Sequence, residues 1–347
     1  MMRQFFILFR GRWWLPVLFL LAVGAGRPPP PAGEPAGTGY AARPEVQAYV
    51  QDLSAEHGLE KARLLNLFAG VKRQQRAIEL LARPAEKQLL WHQYRAIFLG
   101  SSRIQGGVKF WRQHRQTLQR AQEKFGIPPE IVTAILGVET RYGDNIGSFP
   151  ALDSLVTLAF DTTRRTTFFR KELTEYLLLA REQGFDPRSR SSSYAGAMGY
   201  GQFIASSYRN YAVDFDGDEI ADLQNSPTDA IGSIANYLAS HGWRKGGGIA
   251  VRAETLPGFD AAAAGSNPRL QYTVAGLASR GYRAAGLAQQ ERVAVLLLDG
   301  KAGPEYWLGQ HNFYVITRYN HSHMYAMAVF HLSLALAAAA ASAGEQP

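Results

Sequence analysis

Cysteine is absent from the 347 residues. That absence removes disulfides, thiolate nucleophiles, Cys-ligated zinc and any lipid anchor built on an N-terminal Cys. Charged side chains are sparse at 19%, while hydrophobic ones reach 46%, so a chain disordered over most of its length is excluded. The H-E-x-x-H, G-x-S-x-G and P-loop patterns are missing too. Gly246-Gly247-Gly248 is followed by Ile249 and Ala250, with no Lys-Ser/Thr step. His321 and His323 stand two residues apart and share no helix face, so a metal-hydrolase pair is not indicated. No fixed-period repeat is visible, and Lys and Arg form no blocks of the kind that make nucleic-acid-binding tails.

What is present begins with charge. Lys plus Arg number 37 against 29 Asp plus Glu, a net +8 that favours acidic partners such as a cell-wall glycan carrying peptide carboxylates. At the N-terminus, Arg3, Arg10 and Arg12 precede the apolar run Trp13–Ala25, which is interrupted by Pro16 and has small residues at Val23 and Ala25. Residues 1–26 therefore predict a secretory signal, either removed or retained as an inner-membrane anchor, and a periplasmic location. Residues 27–43 are rich in proline and glycine and predict a linker.

From residue 44 to 125 the spacing of Val46, Tyr49, Val50 and Leu53, and of Leu89, Leu90, Tyr94, Ile97 and Phe98, predicts helices, separated at Pro84. Gly126-Ile127-Pro128-Pro129 breaks the chain and opens another helix, and further helices are expected at 152–159, 165–183 and 227–240. After Gly248 short β-prone runs appear at 249–252, 271–274 and 292–298, and a last helix is expected over 322–340. The fold class is mainly α (α+β). Its division is a helical domain at 44–125 completed by 322–340, a core at 126–245, a small β-rich domain at 246–321 and a tail at 341–347.

The helix from Pro129 carries the main chemical signal. At about 100° per residue, Ile131, Ile135, Val138 and Tyr142 form one apolar stripe, and Glu139 projects onto that side. Thr133, Gly137 and Arg141 take the other, and Gly143 is expected to end the helix with Glu139 in its last turn. Burial and the negative helix end both favour a protonated carboxyl, which is what a general acid for glycosidic cleavage needs. A structural pairing with Arg141 is the alternative. A second run, Ser193-Tyr194-Ala195-Gly196-Ala197-Met198-Gly199-Tyr200-Gly201-Gln202-Phe203, lets backbone approach a ligand closely and adds an amide at Gln202.

Glu139-Thr140-Arg141-Tyr142-Gly143, that glycine-rich run, and Asp229-Ala230-Ile231-Gly232-Ser233-Ile234-Ala235-Asn236-Tyr237 together resemble the lytic murein transglycosylase B family, over residues 44–335. The resemblance implies a lysozyme-like helical core at 126–245 with a flanking helical domain and a small β domain. It implies cleavage of the β-1,4 MurNAc–GlcNAc bond of peptidoglycan with a 1,6-anhydromuramoyl product, without water, and with no cofactor required. Glu139 matches the single acid/base, with no second carboxylate as nucleophile, an exception to the two-carboxylate pattern. Ser193 and Gln202 match residues that contact the sugar; Tyr237, Tyr319, Asn320 and Tyr325 resemble the set around the acid. Arg164 and Arg165 match a pair suited to peptide or lactyl carboxylates. Tyr325 is equally readable as a core tyrosine. Ala205 departs from a frequent proline, and the missing Cys departs from the lipoprotein form.

Asp214, Asp216, Asp218 and Asp222 fall at positions one, three, five and nine of an EF-hand-like loop. Glu219 replaces the glycine at six and Asn225 the glutamate at twelve. The resemblance adds Asp229 as the closing ligand, Ile220 would offer only its carbonyl, and all-oxygen ligation favours a structural Ca²⁺. The expected partners are peptidoglycan strands and other cell-wall enzymes, with no nucleic acid, and a monomer is expected. Two other functions fit the residues: a hydrolytic muramidase using Glu139 with Asp144 or Asp153 to activate water, or a non-catalytic glycan-binding protein.

Overall fold

The computed structural model describes residues 39–82, 89–163 and 165–342. The leader, the linker up to residue 38, Pro84, the end of the tail and Arg164 lie outside the described residues. A short 3-10 turn at Tyr40–Ala42 precedes the expected start of the first helix. Tyr40 is buried, and its hydroxyl donates to Asp161, the carboxylate that also receives Arg43 and Arg73.

Helices α1 (Pro44–His57), α2 (Lys61–Ala69), α3 (Gln75–Ala82), α4 (Trp91–Phe98), α5 (Ser101–Gln113) and α6 (Arg115–Phe125) form the first segment. α1 starts with proline in its first turn and ends on Gly58 in the left-handed conformation; Gly126 stops α6 in the same way. α7 (Pro129–Thr140) follows, then a two-residue strand β1 (Phe149–Pro150), α8 (Ala151–Phe160), α9 (Thr166–Glu182) and β2 (Ser191–Ser192), which pairs with β1. α10 (Ala205–Tyr211) and α11 (Pro227–Ser240) complete the central part, with Ser226 capping α11 through the amide of Asp229. The helices expected at 152–159, 165–183 and 227–240 are thus present to within a residue.

The sheet comprises β3 (Ala250–Thr255), β4 (Tyr272–Thr273), β5 (Tyr282–Arg283), β6 (Arg292–Gly300) and β7 (Gly303–Gly309), with a short helix α12 (Val274–Ala278) after β4. Its order is β4-β6-β7-β3-β5, antiparallel throughout. A small apolar cluster containing Val274, Leu277, Tyr282, Val293, Val295 and Leu308 sits against one face. β7 was not expected from the sequence: Gly303-Pro304 reads as a break, yet the tight β6–β7 hairpin needs only the left-handed Gly303 (φ 124°). α13 (His311–Tyr319) is the other surprise, because its Phe, Tyr, Val, Ile and Thr favour strands. Burial of Phe313, Val315 and Ile316 in the main core overrides that preference.

α14 (His323–Ser342) runs through the main core, packed on α7, α5, α4 and α13. By length and composition it could cross a membrane, but half of it is buried inside the molecule, as in the central helix of a globular core. Its packing against α7 is what brings residues near 325 to the end of the helix carrying Glu139.

Candidate active site

α7 is buried along its whole circumference from Ile131 to Thr140, including Thr133 and Gly137 on the side opposite the apolar stripe. It ends at Thr140, three residues before Gly143, because Arg141 and Tyr142 both adopt left-handed backbone (φ 54° and 65°). Glu139 therefore stands next to last in the helix, 6% exposed. The turn is tied to the glycine-rich run: Thr140 Oγ1 donates to the Tyr200 carbonyl at 2.9 Å and accepts the Gly143 amide at 3.0 Å. The Tyr200 ring lies where a Cβ on Gly143 would be.

The hydroxyl of Tyr325, on α14, donates to Glu139 Oε1 at 2.7 Å. The Tyr325 ring is parallel to that of Tyr319, 6.5 Å away at 4°, and the Tyr319 hydroxyl donates to the Gly201 carbonyl. Tyr237 meets Tyr319 edge-on at 4.9 Å and donates to the Arg318 carbonyl at 2.6 Å. Burial first, and the neighbouring Glu139 carboxylate second, push Tyr319 and Tyr325 well above the usual phenol range. Both rings therefore remain protonated donors. Asn320 is buried between them in sequence; its Oδ1 accepts the Ser322 amide, while its Nδ2 has no partner among the described residues. A buried donor left open in this way is suited to a ligand acceptor.

Gln202 is buried with a left-handed backbone (φ 51°), and its Nε2 donates to the carbonyls of Ile146 and Gly199 at 3.0 and 2.8 Å. Its Oε1 takes no bond among the described residues and is the atom left for a ligand. Ser193 Oγ accepts the amides of Ala195 and Ala197 at 3.3 and 3.2 Å, so its own proton can be donated elsewhere. Arg165 lies over the Phe168 and Phe169 rings at 4.4 and 5.5 Å, with Nε and Nη2 buried and unpartnered. Desolvation lowers its proton affinity, offset in part by Tyr194 and Glu172.

The geometry thus joins Glu139, Tyr325, Tyr319 and Tyr237 directly, and links Gln202 to them through Gly201. The two aspartates weighed as water activators have different surroundings. Asp153 on α8 accepts from Gln74, and Asp144 is exposed in the turn after α7. Neither bonds to the Glu139 group. Tyr94, noted in the sequence only as a packing position of its helix, interacts electrostatically with Tyr325.

In the acidic loop, ligand oxygens of Asp214, Asp216 and Asp218 lie within 4.8 Å of one another, all exposed. Asp229 is not part of that group: it is fully buried, and its two oxygens accept the amides of Phe215, Asp216 and Asp222. The Ile220 carbonyl accepts the Asp222 amide.

A mainly helical body with a small antiparallel sheet is the architecture of the lysozyme-like lytic transglycosylases. Soluble lytic transglycosylase SltB1 from Pseudomonas aeruginosa superposes with a TM-score of 0.82 at 45% identity, covering 86% of this chain and 100% of that one. The lytic transglycosylase Slt35 of Escherichia coli, solved in complex with calcium, gives 0.79 at 40% identity over 86% of this chain and 95% of that one. Membrane-bound lytic murein transglycosylase B of Escherichia coli (strain K12) is 38% identical over 91% of this chain and 94% of its own. Residues 41–334 match the transglycosylase SLT domain, and the chain belongs to that family. It is a peptidoglycan lytic transglycosylase.

Proposed function

We propose that Glu139 is the single acid and base of the reaction. As acid it protonates the glycosidic oxygen while the C1–O4 bond of the muramoyl residue breaks. As base it then takes the proton of the same sugar's 6-hydroxyl as that oxygen bonds to C1. Glu139 ends as it began, no water is consumed, and the new end is 1,6-anhydro. The observation that carries this is a carboxyl 6% exposed, held by Tyr325 and ringed by protonated tyrosines. Asn320 Nδ2, Gln202 Oε1 and the Ser193 hydroxyl are read as sugar contacts, and Arg165, with Arg164, as the seat of a substrate carboxylate. The reading extends to the domain division above and to a periplasmic site of action. Product analysis tests it: digested murein should release muropeptides lighter by one water than hydrolytic products, whereas reducing MurNAc ends would establish the muramidase alternative.

The acidic loop is read as a structural Ca²⁺ site held by Asp214, Asp216 and Asp218, with Asp229 shaping the loop through its amides rather than acting as a ligand. Hard, clustered oxygens fit that ion, and the Slt35 structure was solved in complex with calcium. With a Kd of about 1 mM, 10 mM calcium would add roughly 1.4 kcal/mol and raise Tm by a few degrees without changing turnover. Asp216→Asn should abolish the shift, and calorimetry with and without chelator measures it.

A further inference from the structure

The last turn of α7 is held from behind by a buried pair that the catalytic reading does not use. Arg103 on α5 is 6% exposed. Its Nη1 donates to the Gly137 carbonyl, one of the four end-of-helix acceptors that no helical amide can reach. No carboxylate pairs with this guanidinium among the described residues. Burial lowers its proton affinity, and Arg141 adds to that. A buried cation without a counter-ion is costly.

Tyr142 completes the arrangement. Its left-handed backbone turns the ring back under the helix it follows, and its hydroxyl donates to the Arg103 carbonyl at 3.0 Å. The ring lies along Phe110 at 5.8 Å and 29°. It occupies the space that side chains would need at Gly107 and Gly137: a Cβ there would fall 2.4 and 2.6 Å from the Tyr142 hydroxyl. Two glycines, one on each helix, thus leave a slot that a single tyrosine fills. Gly137 and Glu139 are two residues apart and so about 200° apart around the helix. The slot therefore grips the back of the turn whose front carries Glu139.

We propose that Arg103 and Tyr142 are positioning residues for Glu139, fixing the rotation of the final turn of α7 so that one carboxyl can reach both proton positions. The proposal rests on the reading of Glu139 as acid and base. A helix end frays unless its free carbonyls are tied down, and a catalytic group misplaced by about 1 Å can cost about 10²-fold. The bonds from Tyr325 and to Thr140 hold Glu139 from the cleft side; Arg103 and Tyr142 hold the opposite side.

The test is a kcat-against-KM split on the full chain with purified murein, at least 20 degrees below each variant's Tm (about, by calorimetry). Arg103→Met and Tyr142→Phe are expected to lower kcat about tenfold or more while KM and glycan binding stay within about twofold of the parent. Arg103→Lys, which can still reach the Gly137 carbonyl, should recover most of the loss. If the variants keep parental kcat, or if Lys rescues no better than Met, the positioning role is wrong. If Arg103→Met fails to fold, Tyr142→Phe and Arg103→Lys carry the comparison. Glu139→Gln measured alongside separates the two readings: its inactivity together with active Arg103 and Tyr142 variants would overturn this inference alone.

Discussion

Glu139→Gln is expected to lower murein cleavage by about 10³-fold, within the range of general acid–base catalysis. The substitution keeps side-chain length and an oxygen that can accept the 2.7 Å bond from Tyr325. It cannot give or take the proton that both steps need. Glycan binding, measured by co-sedimentation with sacculi, should therefore stay close to the parent, and Tm should change little. The result tests whether Glu139 carries the chemistry, while the product analysis above separates transglycosylase from muramidase. Loss of turnover with retained binding supports the enzymatic reading. Unchanged turnover would leave Glu139 without a chemical role and place the acid and base on another residue.

A large stability effect is expected at Gly199. Its φ of 70° costs a side chain about 1–2 kcal/mol. In addition, a Cβ there would lie 2.1 Å from the Leu223 carbonyl oxygen and 2.5 Å from its carbon. Backbone cannot swing aside as a side-chain tip can. The same carbonyl accepts the Tyr200 amide, and the Gly199 carbonyl receives both the amide and the Nε2 of Gln202. Gly199→Ala should therefore destabilise by about 4 kcal/mol or more and lower Tm by about 8–16 °C, dragging Gln202 out of place. Gly246→Ala is the control: its φ of 73° is nearly the same, but nothing lies within 4 Å of its added Cβ. It should lose only about 1–2 kcal/mol. Equal melting temperatures for the two variants would show that backbone crowding at Gly199 has no weight.

Much of this architecture is legible along the chain. Proline in the first turn and glycine after the last mark α1, and the apolar periods mark α8, α9 and α11. These signals are local, so they survive any tertiary arrangement. The strand-like residues of α13 misled because the choice between helix and strand there was made by the core they enter. The same distinction runs through the acidic loop. The spacing of its aspartates is visible in order, but whether Asp229 faces an ion or the loop's own amides depends on how α11 packs.

Residue order alone placed Glu139 on the apolar side of a helix, showed a glycine-rich run after it, and excluded thiolate and Cys-ligated zinc chemistry. Tyr325 stood equally well as packing or as partner, because it lies 186 positions from Glu139 and no periodic pattern spans that interval. Only the packing of α14 on α7 reveals the contact, by placing a buried phenol within hydrogen-bonding distance of the carboxyl. Behind the helix, Arg103 gave no signal in the sequence, and Tyr142 read there as part of the apolar stripe beside Glu139 rather than as the ring that turns back under the helix. A side chain's composition is local, whereas the face it presents and the atoms it meets are set by how distant helices share one core.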